Sequence, residues 1–158
     1  MQSSSERPVS LKEQMRLEDA LPLLEAAFAA GAPFRFFQRG TSMLPMLRQG
    51  IDSVQLVSPH LRAPEKGEVI LYRRKNGDFI LHRAIGIDKN GDFIACGDNQ
   101  GAPEKGISRF GIIGVLEGFY RGDEWISADD IEYKKYVKRR MRSRWIRYLK
   151  YIAHKILK

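Results

Sequence analysis

The chain has 158 residues, of which 43% are hydrophobic and 29% are charged, as is typical of a globular protein that folds as one domain. It has a single cysteine, Cys96, which excludes an intrachain disulfide. It contains no run of about 18 apolar residues, so no segment is predicted to cross a membrane as a helix. The net charge of +8 is concentrated near the C-terminus, because residues 134–158 hold 11 of the 27 Lys and Arg and no acidic residue.

An N-terminal arm and helix are expected over residues 1–33. Residues 1–16 are rich in Ser, Glu and Lys, which favours weak order, although Ser10-Leu11-Lys12-Glu13 matches a capping box. They lack the apolar core of a secretory signal. A helix is predicted over residues 17–30, since Pro22 is tolerated in a first turn and Gly31-Ala32-Pro33 would end it.

Short strands separated by turns are expected over residues 34–130. Asn76-Gly77 and Asn90-Gly91 each lie between two apolar runs, which is a strong hairpin signal, and Gly122-Asp123 is a third candidate turn. The pattern predicts a mainly β fold class: a compact domain of short antiparallel strands and hairpins with a helix at each end. The predicted strands cover residues 34–38, 53–57, 69–73, 79–87, 92–96, 112–120 and 124–127.

A basic amphipathic helix is expected over residues 131–158. Trp and Tyr beside an apolar stripe, with Lys and Arg opposite, suit an anionic membrane surface. Packing of the stripe on the β domain explains the pattern equally well, and nucleic acid is the least favoured partner. The stripe consists of Val137, Met141, Trp145, Tyr148, Leu149, Ile152 and Ile156, and the opposite basic side of Arg139, Arg140, Arg144, Arg147, Lys150 and Lys158.

Two side chains suggest a catalytic pair. Ser42 lies in Gly40-Thr41-Ser42-Met43-Leu44-Pro45, where a glycine and a proline bracket a sharp bend that presents a hydroxyl. A helical turn opened by Pro45 would leave the N–H groups of Ser42 and Met43 free for an oxyanion hole. His82 lies in an apolar run and can act as the base that a serine nucleophile needs. With an ordinary histidine pKa, activity would rise with pH through about 6 to 7.

Four ordered motifs resemble those of the superfamily that joins type I signal peptidases and LexA-type self-cleaving repressors. The Ser42 motif is similar to its nucleophile box, and Lys66-Gly67-Glu68-Val69-Ile70-Leu71-Tyr72 to its Gly-acid-Val strand. Leu81-His82-Arg83 resembles the base box of the branch that uses histidine, as in endoplasmic-reticulum signal peptidases, and Gly97-Asp98-Asn99 the box downstream of the base. The resemblance covers about residues 34–120.

This resemblance implies a serine endopeptidase with Ser42 as nucleophile and His82 as general base, acting on an extended peptide or protein segment. It also implies an acid that orients His82. Glu104 is slightly favoured by its spacing, and Asp98 is the rival. No cofactor is implied. The three histidines, His60, His82 and His154, lack metal-ligand spacing.

The chain also departs from the family. Gly40 stands where many signal peptidases carry a Ser or Thr oxyanion donor, Ala102-Pro103-Glu104-Lys105 replaces an Asp-Ser-Arg segment, and the usual transmembrane anchor is missing. Alternatives are therefore a self-processing or regulatory LexA-like module, or an inactive scaffold with a membrane-binding tail. A thiol peptidase built on Cys96 is disfavoured. The expected location is the cytoplasm, with peripheral association at the inner face of the membrane. The oligomeric state does not follow from the sequence.

Overall fold

The computed structural model describes residues 17–158, and an antiparallel sheet of eight strands dominates it. The predicted mainly β fold class is confirmed. The expectations for residues 1–16, the capping box among them, lie outside the described residues. The elements are α1 (Leu17–Ala29), β1 (Phe34–Phe37), β2 (Ser53–Val57), β3 (Val69–Arg73), β4 (Phe79–Ile87), β5 (Phe93–Cys96), β6 (Glu104–Ile107), β7 (Ile112–Arg121), β8 (Glu124–Ser127) and α2 (Ile131–Ile156).

The strands follow the order β1-β2-β7-β3-β4-β5-β6, and β8 pairs with the end of β7. Both predicted Asn-Gly turns close hairpins. The N–H of Arg74 donates to the carbonyl of Asp78 (2.8 Å), and the N–H of Asp88 donates to that of Asp92 (2.8 Å). These two hairpins set the registers of β3 with β4 and of β4 with β5, and so fix where His82 stands.

Side chains of β3 alternate between two apolar cores, which is why its residues are buried on both faces. Val69 and Leu71 enter the first core with Leu24 of α1. Ile70 and Tyr72 enter the second core, which Phe93 of β5 also fills. The Ser42 bend belongs to the wall of the first core, because Met43, Met46 and Leu47 are buried in it.

The sequence missed one strand, and an N-terminal cap sets the start of the second helix. Strand β6 was not predicted, since Glu104-Lys105-Gly106-Ile107 shows no clear alternation; it is held by pairing with β5 at the edge of the sheet. Helix α2 begins at Ile131, because the Asp130 carboxylate caps it by accepting from the N–H groups of Glu132 (2.9 Å) and Tyr133 (3.1 Å).

The first half of α2 packs on the domain. Tyr133 is buried with its ring edge-on to Phe119, at 5.5 Å between centroids. Further along, the helix passes so close to the loop after β5 that a Cβ added at Gly101 would lie 2.5 Å from the Cβ of Tyr151. Three members of its basic side, Arg140, Arg144 and Arg147, are half-buried.

No helix within residues 17–158 combines the length and the apolar character that crossing a membrane requires.

Candidate active site

Ser42 is the second residue after a glycine that carries the backbone through a positive φ, since Gly40 has φ +83°. The following turn is closed by the N–H of Leu44 on the Thr41 carbonyl (3.2 Å) and by that of Leu47 on the Met43 carbonyl (3.0 Å). The turn therefore begins before Pro45, rather than at it as the sequence suggested. Because its apolar side chains are buried in the first core, the half-buried Ser42 sits on a fixed support.

The Ser42 turn is fastened to the loop after β5. The N–H of Asn99 donates to the Ser42 carbonyl (2.9 Å), and the Asn99 side-chain amide donates to the Thr41 carbonyl (3.1 Å). The packing is so close that a Cβ added at Gly97 would lie 2.5 Å from the Ser42 carbonyl oxygen and 3.1 Å from its Cβ. Two of the four sequence motifs thus meet, although 55 positions separate Ser42 from Gly97.

The strand registers bring His82 close to this junction. Arg83 on β4 pairs with Cys96, the last residue of β5, so one further step sets His82 beside Gly97. The Cβ direction of Gly97 is occupied by Ser42, so the Ser42 turn packs against the end of β5, the strand that pairs with the His82 strand β4.

His82 is 6% exposed and stands among apolar residues of the second core, with its ring 6.4 Å from that of Tyr72 in an edge-on arrangement. Its Nδ1 is buried without a hydrogen-bond partner among residues 17–158. Within the same part of the chain, no hydrogen bond joins Ser42 to His82. A closer approach of the two groups must therefore accompany any proton transfer, as is common when no substrate is bound.

Burial lowers the pKa of His82 to about 4, and the nearby Arg74 guanidinium acts in the same direction. The carboxylates of Glu104 and Asp98 oppose this shift but do not cancel it. The imidazole is therefore neutral at pH 7, which is the form that can accept a proton. For this physical reason, the acid limb of activity expected at about pH 6 to 7 from the sequence would lie at lower pH.

Glu104, the favoured third member, lies near His82 but is engaged elsewhere. Its carboxylate accepts a hydrogen bond from the Tyr72 hydroxyl (2.5 Å) and one from Arg74 Nε (2.8 Å). Burial alone would raise the pKa of Glu104, but these two donors and the guanidinium charge lower it. Glu104 therefore acts on His82 as a fixed negative charge, and no hydrogen bond between the two is present among the described residues.

Asp98, the rival acid, holds structure together. Arg83 and Asp98 are each 1% exposed and form a two-point ion pair, Nε to Oδ1 at 2.8 Å and Nη2 to Oδ2 at 2.7 Å. The Tyr136 hydroxyl of α2 also donates to Oδ2 (2.8 Å). Both carboxylate oxygens are thus committed to partners other than His82.

The two N–H groups proposed for the oxyanion hole, those of Ser42 and Met43, donate no hydrogen bond to any residue in the described range 17–158. They are the N–H groups of the nucleophile candidate and of the residue after it, and backbone N–H groups of this kind can donate to a developing oxyanion. Gly40 has no side chain that could donate a hydrogen bond to an oxyanion. The backbone N–H groups of Ser42 and Met43 are therefore the candidate oxyanion donors of the turn.

The environment of Cys96 disfavours a role as a nucleophile. It is buried, and burial raises the pKa of its thiol, which disfavours the reactive thiolate. The sulfur lies 3.4 Å from the Gln100 carbonyl and 3.5 Å from the Ala102 carbonyl, where it supports the loop after β5.

Three residues around the pair were not singled out by the sequence. Arg83 was noted only as the neighbour of His82, and neither Tyr72 nor Arg74 was given a role. The buried ion pair of Arg83 could have been predicted, because a charged residue inside an apolar strand needs a buried partner. Tyr72 and Arg74 meet Glu104 only through the fold, and local sequence does not reveal that contact.

No protein-family model matches the chain, and no curated protein matches it.

Proposed function

We propose that this protein is a serine endopeptidase of the signal peptidase/LexA-like type, with Ser42 as nucleophile and His82 as general base. The observation that supports this most is the junction of the Ser42 turn with the Gly97–Asn99 loop. It ties the turn that carries the Ser42 hydroxyl to the end of β5, and β5 pairs with the strand that carries the neutral imidazole of His82.

The chemistry follows from these groups. His82 accepts the Ser42 proton as Oγ attacks the peptide carbonyl, and the N–H groups of Ser42 and Met43 stabilise the oxyanion. His82 then donates that proton to the departing amine, which leaves an ester on Ser42. Water, deprotonated by His82, attacks this ester; the acid is released and the Ser42 hydroxyl is restored.

Glu104 is the better candidate for the third member. Both carboxylates raise the His82 pKa, but Glu104 does so more strongly, whereas Asp98 forms a buried ion pair with Arg83. Binding of substrate would have to draw Glu104 or a water molecule to the buried Nδ1 of His82, which has no partner among residues 17–158.

An edge strand beside Ser42 suits an extended substrate. Strand β1 is first in the sheet order, so one of its edges has no strand partner within the described residues, and β1 ends at Phe37, five positions before Ser42. A peptide segment added along that edge gains backbone hydrogen bonds and is led toward the hydroxyl.

A peptide library tests the proposal. Wild type, Ser42→Ala, His82→Gln and Thr41→Ala are incubated with peptides that sample all residue pairs, and new termini are identified by mass spectrometry. Thr41 is the matched control, because it is an exposed hydroxyl next to Ser42. We expect cleavage by wild type and Thr41→Ala only.

Equal cleavage by all four proteins would refute the assignment. A folded wild type that cleaves neither a peptide nor itself would leave the scaffold function, in which the fold persists without proteolysis. Loss of the intact mass on prolonged incubation, prevented by Ser42→Ala, would instead support the self-processing alternative.

A further inference from the structure

The second half of α2 presents an apolar surface that the domain does not cover. Trp145, Leu149 and Ile156 are 59%, 52% and 75% exposed. Large apolar side chains scattered singly on a surface are ordinary, but these three recur at steps of four and seven on one helix. They form a continuous stripe, here called the α2 stripe.

The helix geometry explains why the stripe is free. Successive residues turn by about 100°, so Trp145, Leu149 and Ile156 fall within about 40° of one another. They stand about 120° to 160° from Tyr151, the residue whose Cβ faces Gly101 of the domain. The β domain therefore occupies one side of α2 and leaves the α2 stripe on another.

The charge around the stripe is of one sign. Of the 11 Lys and Arg in residues 134–158, eight are exposed, and this segment contains no acidic residue. Within residues 17–158, the only ion pair that any of the eight makes joins Lys135 to Glu132, one turn apart. The eight are Lys134, Lys135, Lys138, Arg139, Arg142, Lys150, Lys155 and Lys158.

We propose that the α2 stripe docks on an anionic lipid bilayer, with Trp145, Leu149 and Ile156 in the headgroup–acyl boundary and the flanking Lys and Arg on lipid phosphates. Amphipathic helices with Trp and Leu on one side and basic residues beside them lie in the membrane interface in this way. The proposal is independent of the proposed peptidase activity.

Charge complementarity selects this occupant. A second copy of the chain would bring two basic helices together and would oppose its own association. Nucleic acid matches the basic residues but gives no reason for three exposed apolar side chains among them. An anionic bilayer satisfies both features at once, since its surface attracts Lys and Arg while its interior accepts apolar side chains.

Vesicle flotation of the full chain tests the proposal. Vesicles of phosphatidylcholine with roughly 30% phosphatidylglycerol are compared with phosphatidylcholine alone. Each basic residue near an anionic leaflet contributes about a fivefold gain in binding, so the double variant Arg142→Gln/Lys150→Gln should lower vesicle binding by about 25-fold.

The double variant Trp145→Glu/Leu149→Glu should abolish vesicle binding. Phe110→Glu is the control, because Phe110 is 98% exposed but lies outside α2, and it should bind like wild type.

Fluorescence provides a second readout on an unaltered helix. The chain has two tryptophans, so in Trp125→Phe all tryptophan emission comes from Trp145. We expect a blue shift with anionic vesicles that about 0.5 M NaCl reverses, because salt screens the attraction. Equal binding to neutral vesicles, unchanged binding of Trp145→Glu/Leu149→Glu, or binding to nucleic acid but not to vesicles would each overturn the proposal.

Discussion

The buried imidazole of His82 should make the stability of the protein depend on pH over an unusual range. Its pKa is about 4 in the folded chain and 6.5 for an ordinary histidine, which is taken for the unfolded chain. Between these two values the unfolded chain binds a proton that the folded chain rejects. Folding is therefore stabilised above about pH 6.5, and this stabilisation is lost as the pH falls toward 4.

The magnitude follows from the displacement of the pKa. Each pH unit between the two values corresponds to about 1.4 kcal/mol, so the full loss is about 3 kcal/mol. That is a substantial fraction of the roughly 5–15 kcal/mol by which a domain is stable. Because His82 is 6% exposed, solvent screening does not reduce this effect as it would at a surface site.

Urea unfolding of wild type and His82→Gln between pH 7 and pH 4 measures the effect. Glutamine does not titrate, so the difference between the two slopes of unfolding free energy against pH isolates the histidine from the carboxylates that also titrate in acid. A proton NMR titration assigns the pKa itself, with the His82 signal identified by its loss in His82→Gln. Parallel slopes, or a His82 signal that titrates near 6.5, would refute the reasoning.

Two further predictions concern the same site. Arg74→Gln removes a positive charge that lowers the His82 pKa and frees the Glu104 carboxylate that raises it. The NMR-derived pKa of His82, and the acid limb of the proposed peptidase activity, should therefore both move to higher pH; an unchanged midpoint would contradict this. Gly97→Ala should lower kcat by about 10²-fold, since the new Cβ would push the Ser42 backbone. Gly111→Ala, where an added Cβ meets nothing within 4 Å, should leave kcat unchanged.

The strands were predictable because their signals are local. Asn76-Gly77 and Asn90-Gly91 fixed two hairpins, and the apolar runs between turns gave β2, β3, β4 and β8 with the bounds observed. Strand β6 escaped because its Glu-Lys-Gly-Ile sequence has no alternation, and only pairing with β5 makes it a strand. An edge strand of this kind is determined by its neighbour rather than by its own residues.

The environment of His82 could not be predicted in the same way. Tyr72 is on β3 and Glu104 is on β6, three strands along in the sheet order. Their 2.5 Å hydrogen bond therefore joins residues that are distant both along the chain and across the sheet. Sequence spacing proposed Glu104 as a partner of His82, but the fold brings Tyr72 and Arg74 to its carboxylate.

The Arg83–Asp98 ion pair links the loop after β5 to α2. Arg83 Nη1 donates to the carbonyl of Gly67 (2.8 Å), and Asp98 receives the Tyr136 hydroxyl from the helix. Because Asp98 stands between Gly97 and Asn99, the loop that carries the Ser42 turn is tied through one buried ion pair to the helix whose far half bears the apolar stripe. Removing one charge of such a pair typically costs about 3–5 kcal/mol, since the other is left unpaired.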